Sequence, residues 1–208
     1  MNVQTVVLVG PHGSGKTTLG QELSRVLGWP FDDEIGKRMR REALVQDPTA
    51  HAARPQPDFD RRVMEAEVAR DRVRRKGGPR VVETWHPGNL AYCEARDPRL
   101  AEAWRPRLRT LSRRAPGLLV IPLHIDLETV QRRLQEAGPP DMMVPWLWQV
   151  AMRAEAIARQ WGLMVSDPVS TMDRPVAASL ADVLERIDAF QACPRPEDNR
   201  TWRTTPCL

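Results

Sequence analysis

Ten residues near the start of the chain, Gly10-Pro11-His12-Gly13-Ser14-Gly15-Lys16-Thr17-Thr18-Leu19, concentrate the residue types that hold phosphate. Gly10, Gly15, Lys16 and Thr17 meet the spacing G-x-x-x-x-G-K-[ST], after an apolar strand-like run and before a helical pattern, which is the context the spacing needs. Glycines let successive backbone N–H groups turn inward and cup phosphate oxygens. The helix that starts here adds the positive end of its dipole. Lys16 brings a point charge to the β- and γ-phosphates, and the Thr17 hydroxyl is placed to ligate Mg²⁺. Gly10, His12, Gly13, Ser14, Gly15, Lys16, Thr17 and Thr18 therefore form a nucleotide-holding loop, with ATP and Mg²⁺ as the expected cofactors. His12 is expected to contribute its backbone N–H rather than its ring.

Such a loop serves several reactions. The N-K-x-D run that reads guanine is absent. A motor or transporter ATPase would carry a strand ending in Asp, often Asp-Glu, whereas the strands here end "RVVET" and "HID". Asp126, in the second of these, stays open between a metal-side acid and a helix-cap or core-edge residue.

Two further stretches bear chemistry. In "LGWPFDDEIGKR", residues 27–38, three acids stand together. The stretch resembles the L-G-x-x-F-x-D-x-D segment of shikimate and gluconate kinases. The resemblance puts Asp33 on the acid that helps hold Mg²⁺ and Ile35 where the acceptor-gripping acid would be, with Asp32 and Glu34 alongside as acids that could partly substitute for it. In "VVETWHPGNLAYCEAR", residues 81–96, Glu83, Thr84 and Leu90-Ala91-Tyr92 resemble the D-R-x-x-x-S-x-L-A-Y segment of thymidylate kinase and its deoxynucleoside kinase relatives. Glu83 falls on the family's Asp, where a carboxylate can orient an acceptor hydroxyl or accept its proton. Thr84 replaces the family's Arg, which favours an acceptor without a phosphate. Trp85 and His86 follow at once, as candidates to stack on and hydrogen-bond the acceptor, or as packing residues.

The kinase resemblance also implies a lid after the fourth strand, with Arg132 and Arg133 closing on the transferring phosphate. Arg153 and Arg159 are weaker candidates, and "SDPV", residues 166–169, would edge the adenine. One of Trp146 and Trp148 belongs to the core, because residues two apart on a helix cannot share a face.

Strands expected at "QTVVLV", "WPF", "RVVET", "GLLVIPLHID" and "LMVS" alternate with helical periods. One expected helix runs from Lys16 to Leu27 with Leu19, Leu23 and Val26 inward, and another follows Asp58 with Phe59, Val63, Ala66 and Val73 inward. The expected fold is α/β: a three-layer P-loop kinase-like arrangement, a five-stranded parallel sheet with helices on both faces and a helical lid. The domain should span residues 1–192, with the lid at about 127–145, a proline-rich acceptor-side loop at about 45–58, and a flexible tail at 193–208.

With 208 residues, 41% hydrophobic and 28% charged, and no apolar run approaching a membrane span, the chain reads as soluble and cytoplasmic. The three cysteines lack metal spacing and read as reduced thiols. The net charge of +4 suits either phosphate binding or nucleic acid, or reflects base composition. The basic run Arg70–Lys76 reads as contact to a phosphate backbone or as the solvated end of a helix. The expected function is ATP- and Mg²⁺-dependent transfer of a γ-phosphoryl group to a hydroxyl of a small acceptor, a nucleoside or nucleotide first. A kinase acting on nucleic acid and a nucleotide-binding regulatory module are the rivals. A homodimer stays open.

Overall fold

The computed structural model describes residues 2–46, 58–74, 78–135 and 144–192. The elements, in chain order, are β1 (Thr5–Val9), α1 (Lys16–Leu27), β2 (Phe31–Asp32), α2 (Ile35–Gln46), α3 (Phe59–Arg74), β3 (Arg80–Glu83), α4 (Trp85–Arg96), α5 (Pro98–Arg113), β4 (Leu118–His124), α6 (Leu127–Gln135), α7 (Val144–Gln160), β5 (Val169–Ser170) and α8 (Val176–Ala192).

The strands form one sheet in the order β2-β3-β1-β4-β5, and every pairing is parallel. β1 is central, and all five of its residues are buried because helices cover both faces. Side chains alternate across it. Val6 and Leu8 pack with Leu19 and Leu23 of α1 and Val183, Ile187 and Phe190 of α8. Val7 and Val9 pack on the other face with Trp85 of α4 and Ala158 of α7. This is the expected three-layer P-loop kinase-like fold. The register Leu8↔Glu83 sets the end of β3 beside the end of β1, where the phosphate-type loop begins.

Several expectations need correction. The fifth strand is Val169–Ser170, and Val165 makes only an isolated bridge to Val120. The segment that follows the last strand is therefore Thr171 onward, not residues 166–169. Val26 and Val73 are solvent-exposed rather than inward: α1 packs on the sheet through Leu19 and Leu23, and α3 turns Met64, Glu67, Val68 and Asp71 inward instead. Residues 47–57 of the expected acceptor-side loop, residues 136–143 of the expected lid and the expected tail from 193 lie outside the described residues, while 45–46 end α2 and 127–135 form α6. Among the described residues, no helix is long and apolar enough to cross a membrane.

Candidate functional site

The loop between β1 and α1 is shaped by close approach. A Cβ on Gly10 would lie 2.6 Å from the Leu123 carbonyl oxygen of β4, so only glycine fits. Gly13 and Gly15 have φ of 77° and 81°, the left-handed region that glycine reaches without strain. Gly15 caps α1. Ser14 Oγ is buried in this loop with no hydrogen-bond partner.

Lys16 is buried, and its Nζ donates to the carbonyls of Gly10 (2.8 Å) and Pro11 (2.9 Å), so the ammonium lies along the inside of the loop. Burial lowers its pKa, and Glu83 and Glu34 oppose that fall. The Thr17 hydroxyl shares its hydrogen between the two oxygens of Glu83, at 2.9 and 3.1 Å, and accepts from Lys37 Nζ at 3.1 Å. Glu83 is thus at the end of β3 against the loop's own threonine. Burial pushes its carboxyl upward, with Lys16 pulling the other way.

Asp33 does not join Thr17. It is half exposed and faces Arg38 (3.7 Å) and Arg70 (3.9 Å), which corrects its expected place at the metal. Its neighbour Glu34 is the acid that turns inward, buried and bonded to Arg40 Nη2 (2.9 Å) and the Thr84 hydroxyl (3.2 Å). Burial alone would raise the Glu34 carboxyl, but His12, Arg40 and Lys16 hold it at about 2. The His12 ring is itself pushed down to about 4 by burial, so at neutral pH Arg40 and Lys16 supply the charge. The inward turn follows from β2, whose pairing Asp32↔Val82 commits Asp32 to the opposite side, where it binds Arg74 and Arg80. Asp33-Glu34-Ile35-Gly36 also has the D-x-x-G spacing of a GTPase switch, but it follows edge strand β2 rather than β3 beside the loop.

The His12 ring is engaged within the protein: Nε2 lies 2.6 Å from the Tyr92 hydroxyl, tying the loop to α4. Arg96 lies against the rings of Phe59, Tyr92 and Trp146 and is paired with Asp60, which closes that wall. Trp146 and Trp148 are both partly buried and packed on the core, where only one of them was expected, because α7 is covered on more than one side.

Trp85 and His86 are not at the site. Both side chains are fully buried, Trp85 with its indole N–H on Asp71 (3.2 Å) and His86 with Nε2 on Asp71 (2.8 Å). The chain after Glu83 turns into the core, so both side chains pack there against Asp71 instead of facing an acceptor. The lid arginines part company. Arg133 donates to the carbonyls of Gly13 (2.9 Å) and Thr171 (2.8 Å), joining α6 to the loop, while Arg132 is exposed and paired with Asp173. Arg153 pairs with Glu94 and Arg159 with Glu155. Asp126 caps α6 through the Thr129 N–H, so it is a helix cap. Arg70 is largely buried and paired with Glu67, and Arg74 is paired with Asp32 while staying 40% exposed.

Lys37, Arg40 and the inward direction of Glu34 were missed from sequence. Their signal was the three-residue spacing 34, 37, 40 along the start of α2, which places them on one face.

Residues 5–138, more than half of the chain, match the family AAA_28, described as an AAA domain. The chain belongs to this family. Within the family fold it is similar to the shikimate kinase of Methylococcus capsulatus, 34% identical over 96 residues, 46% of this chain and 50% of that one. The chain thus spans about half the length of that curated relative. Deoxyadenosine kinase of M. mycoides, solved with dCMP and dCDP bound, aligns over 89% of this chain and 99% of its own at a TM-score of 0.62 and 12% identity. A gluconokinase from Sinorhizobium meliloti aligns over 93% and 100% at a TM-score of 0.53 and 19% identity. These likenesses place the AAA_28 domain here among P-loop folds of the kinase type.

Proposed function

We propose that this chain is an ATP- and Mg²⁺-dependent phosphotransferase that moves the γ-phosphoryl group to a hydroxyl of a small acceptor, with a nucleoside or nucleotide as the first class to test. The observation that carries the reading is the Thr17–Glu83 pair at the mouth of the glycine loop, with Glu34 also within the field of the Lys16 ammonium. The loop suits a phosphate chain: it has a buried, unpartnered hydroxyl at Ser14 and a lysine resting on carbonyls that compete weakly with phosphate. A hydroxyl and a carboxylate together suit a hard dication such as Mg²⁺, so Thr17 and Glu83, rather than Asp33, would hold it. Bound there, the ion would neutralise charge on the phosphate oxygens.

This reading gives Glu83 the metal side and gives the acceptor to Glu34. A carboxylate held at about 2 is a weak base, so Glu34 grips and orients the hydroxyl and takes its proton late, as a loose transition state allows. Arg40 and Thr84 fix its two oxygens. Arg133 adds positive charge beside Gly13 where the transferring group would lie. A nucleotide-dependent reaction of this kind belongs in the cytoplasm.

The test is transfer from labelled ATP to pools of nucleosides, nucleotides, sugar alcohols and oligonucleotides, with Glu34→Gln alongside. The expected result is a phosphorylated small molecule, with kcat reduced about 10²-fold in the variant and ATP affinity kept. ATP binding with no product from any pool would refute the reading. Product from oligonucleotides alone, lost steeply with salt, would move it to nucleic acid.

A further inference from the structure

Two buried carboxylates on α3, Glu67 and Asp71, lie one turn apart and therefore on one face of the helix. Neither reaches the glycine loop. Each instead acts through side chains on a stretch of chain next to one of the two site glutamates.

Asp71 binds the junction after Glu83. Thr84 has φ 70° and ψ −63°, and Trp85 has φ 54°. Two consecutive non-glycine residues at positive φ are strained, the β-branched Thr84 above all, and such a conformation persists only where its surroundings enforce it. Asp71 Oδ1 accepts from Trp85 Nε1 (3.2 Å) and Arg80 Nη2 (2.7 Å), and Oδ2 bonds His86 Nε2 (2.8 Å). The His86 ring stacks on Trp85 with centroids 4.5 Å apart. Burial alone would raise the Asp71 carboxyl, but His86 and Arg80 hold it at about 2, so the clamp is ionised at neutral pH. Gly88 leaves room for the turned-in Thr84 methyl, which a Cβ there would meet at 2.3 Å.

Glu67 binds the other side. It accepts from Arg70 Nε (3.0 Å) and Nη2 (2.6 Å) and from Asn89 Nδ2 (3.1 Å). Arg70 Nη1 then donates to the Asp33 carbonyl at 2.7 Å, the peptide that carries Glu34. Thr84 closes the circuit by donating to Glu34.

We infer that Asp71 and Glu67 are positioning residues: Asp71 holds the strained Thr84–Trp85 turn that aims Glu83 at Thr17, and Glu67, through Arg70, sets the Asp33–Glu34 peptide. What the two glutamates do rests on the function proposed above; how they are held does not.

The experiment uses the full chain with Asp71→Asn and, in case that variant folds poorly, Trp85→Phe, which keeps an aromatic ring of smaller size and deletes the indole hydrogen bond to Asp71. Crystal structures and calorimetric ATP affinity, in Mg²⁺ and in chelator, are compared with wild type. The expected result is that Thr84 leaves the positive-φ region and Glu83 loses Thr17. The gain in ATP affinity from Mg²⁺ should then fall 10- to 100-fold, with metal-free affinity unchanged. Glu67→Gln is read the same way at the Arg70–Asp33 and Thr84–Glu34 contacts. Variants that melt lower yet keep the Thr84 turn and the Glu83–Thr17 contact would overturn the inference. If wild type itself shows no Mg²⁺-dependent affinity, the proposed function falls, while the crystal structures still decide this one.

Discussion

Replacing Glu83 with Gln keeps the side chain's shape and removes its charge, and the structure predicts opposite effects on the free and the nucleotide-bound protein. Burial raises the Glu83 carboxyl, and the attraction of Lys16 and the Thr17 hydrogen bond only partly oppose it. Between the ordinary carboxylate pKa and this raised value, the folded chain binds more protons than the unfolded one. Stability is therefore full below that window and falls as pH rises through it. Above it the ionised Glu83 weighs against the free fold, and Glu83→Gln relieves that weight. Each kcal/mol of relief should appear as a melting temperature about 2–4 °C higher for a chain of this size, at pH 8 and not at pH 4. With Mg²⁺-ATP the sign inverts. Losing a preorganised charged group at a phosphoryl-transfer site costs about 10²–10³ in kcat, roughly 2.7–4 kcal/mol, and the stabilisation by ligand shrinks as its affinity does. Thermal unfolding from pH 4 to 8, with and without Mg²⁺-ATP, reads both arms. A lower melting temperature for the free variant at pH 8, or equal stabilisation of both proteins by Mg²⁺-ATP, would refute the reasoning and leave Glu83 a strand-end acid.

Two other substitutions separate roles that proximity in sequence blurs. Trp85→Ala should destabilise the fold by about 3–5 kcal/mol, read as a lower midpoint in urea; an unchanged midpoint with weakened acceptor binding would return Trp85 to the site. Arg133→Ala should lower transfer by about 10² or more, on the scale of losing one oriented donor. Arg132→Ala should leave transfer nearly unchanged, because its exposed pairing with Asp173 is the kind worth little. Single-turnover rates on the two variants give the comparison.

What could be read in advance divides by the range of the forces involved. The glycine loop, its flanking strand and α1 were legible because each depends on local rules: spacing, φ freedom and a periodic apolar face. The parallel sheet was legible because strands buried on both faces are nearly continuous apolar runs, as in "LLVIPLH". The choice among Asp32, Asp33 and Glu34 was not, because three adjacent acids satisfy the same local pattern. The pairing of a two-residue strand with β3 decides it, sending Asp32 to Arg80 and leaving Glu34 for the site. Trp85 and His86 misled for a related reason. Sequence neighbours of Glu83 share its surroundings only if the backbone continues as a strand, and here positive φ at Thr84 and Trp85 turns it into the core. That turn has no local signal in a Thr-Trp pair; it is sustained by Asp71, well upstream of both and on another helix. Any chain that places an acid at a strand end through a strained turn will hide the partners of that acid in another helix, and those partners are where function-altering changes outside the site should be sought first.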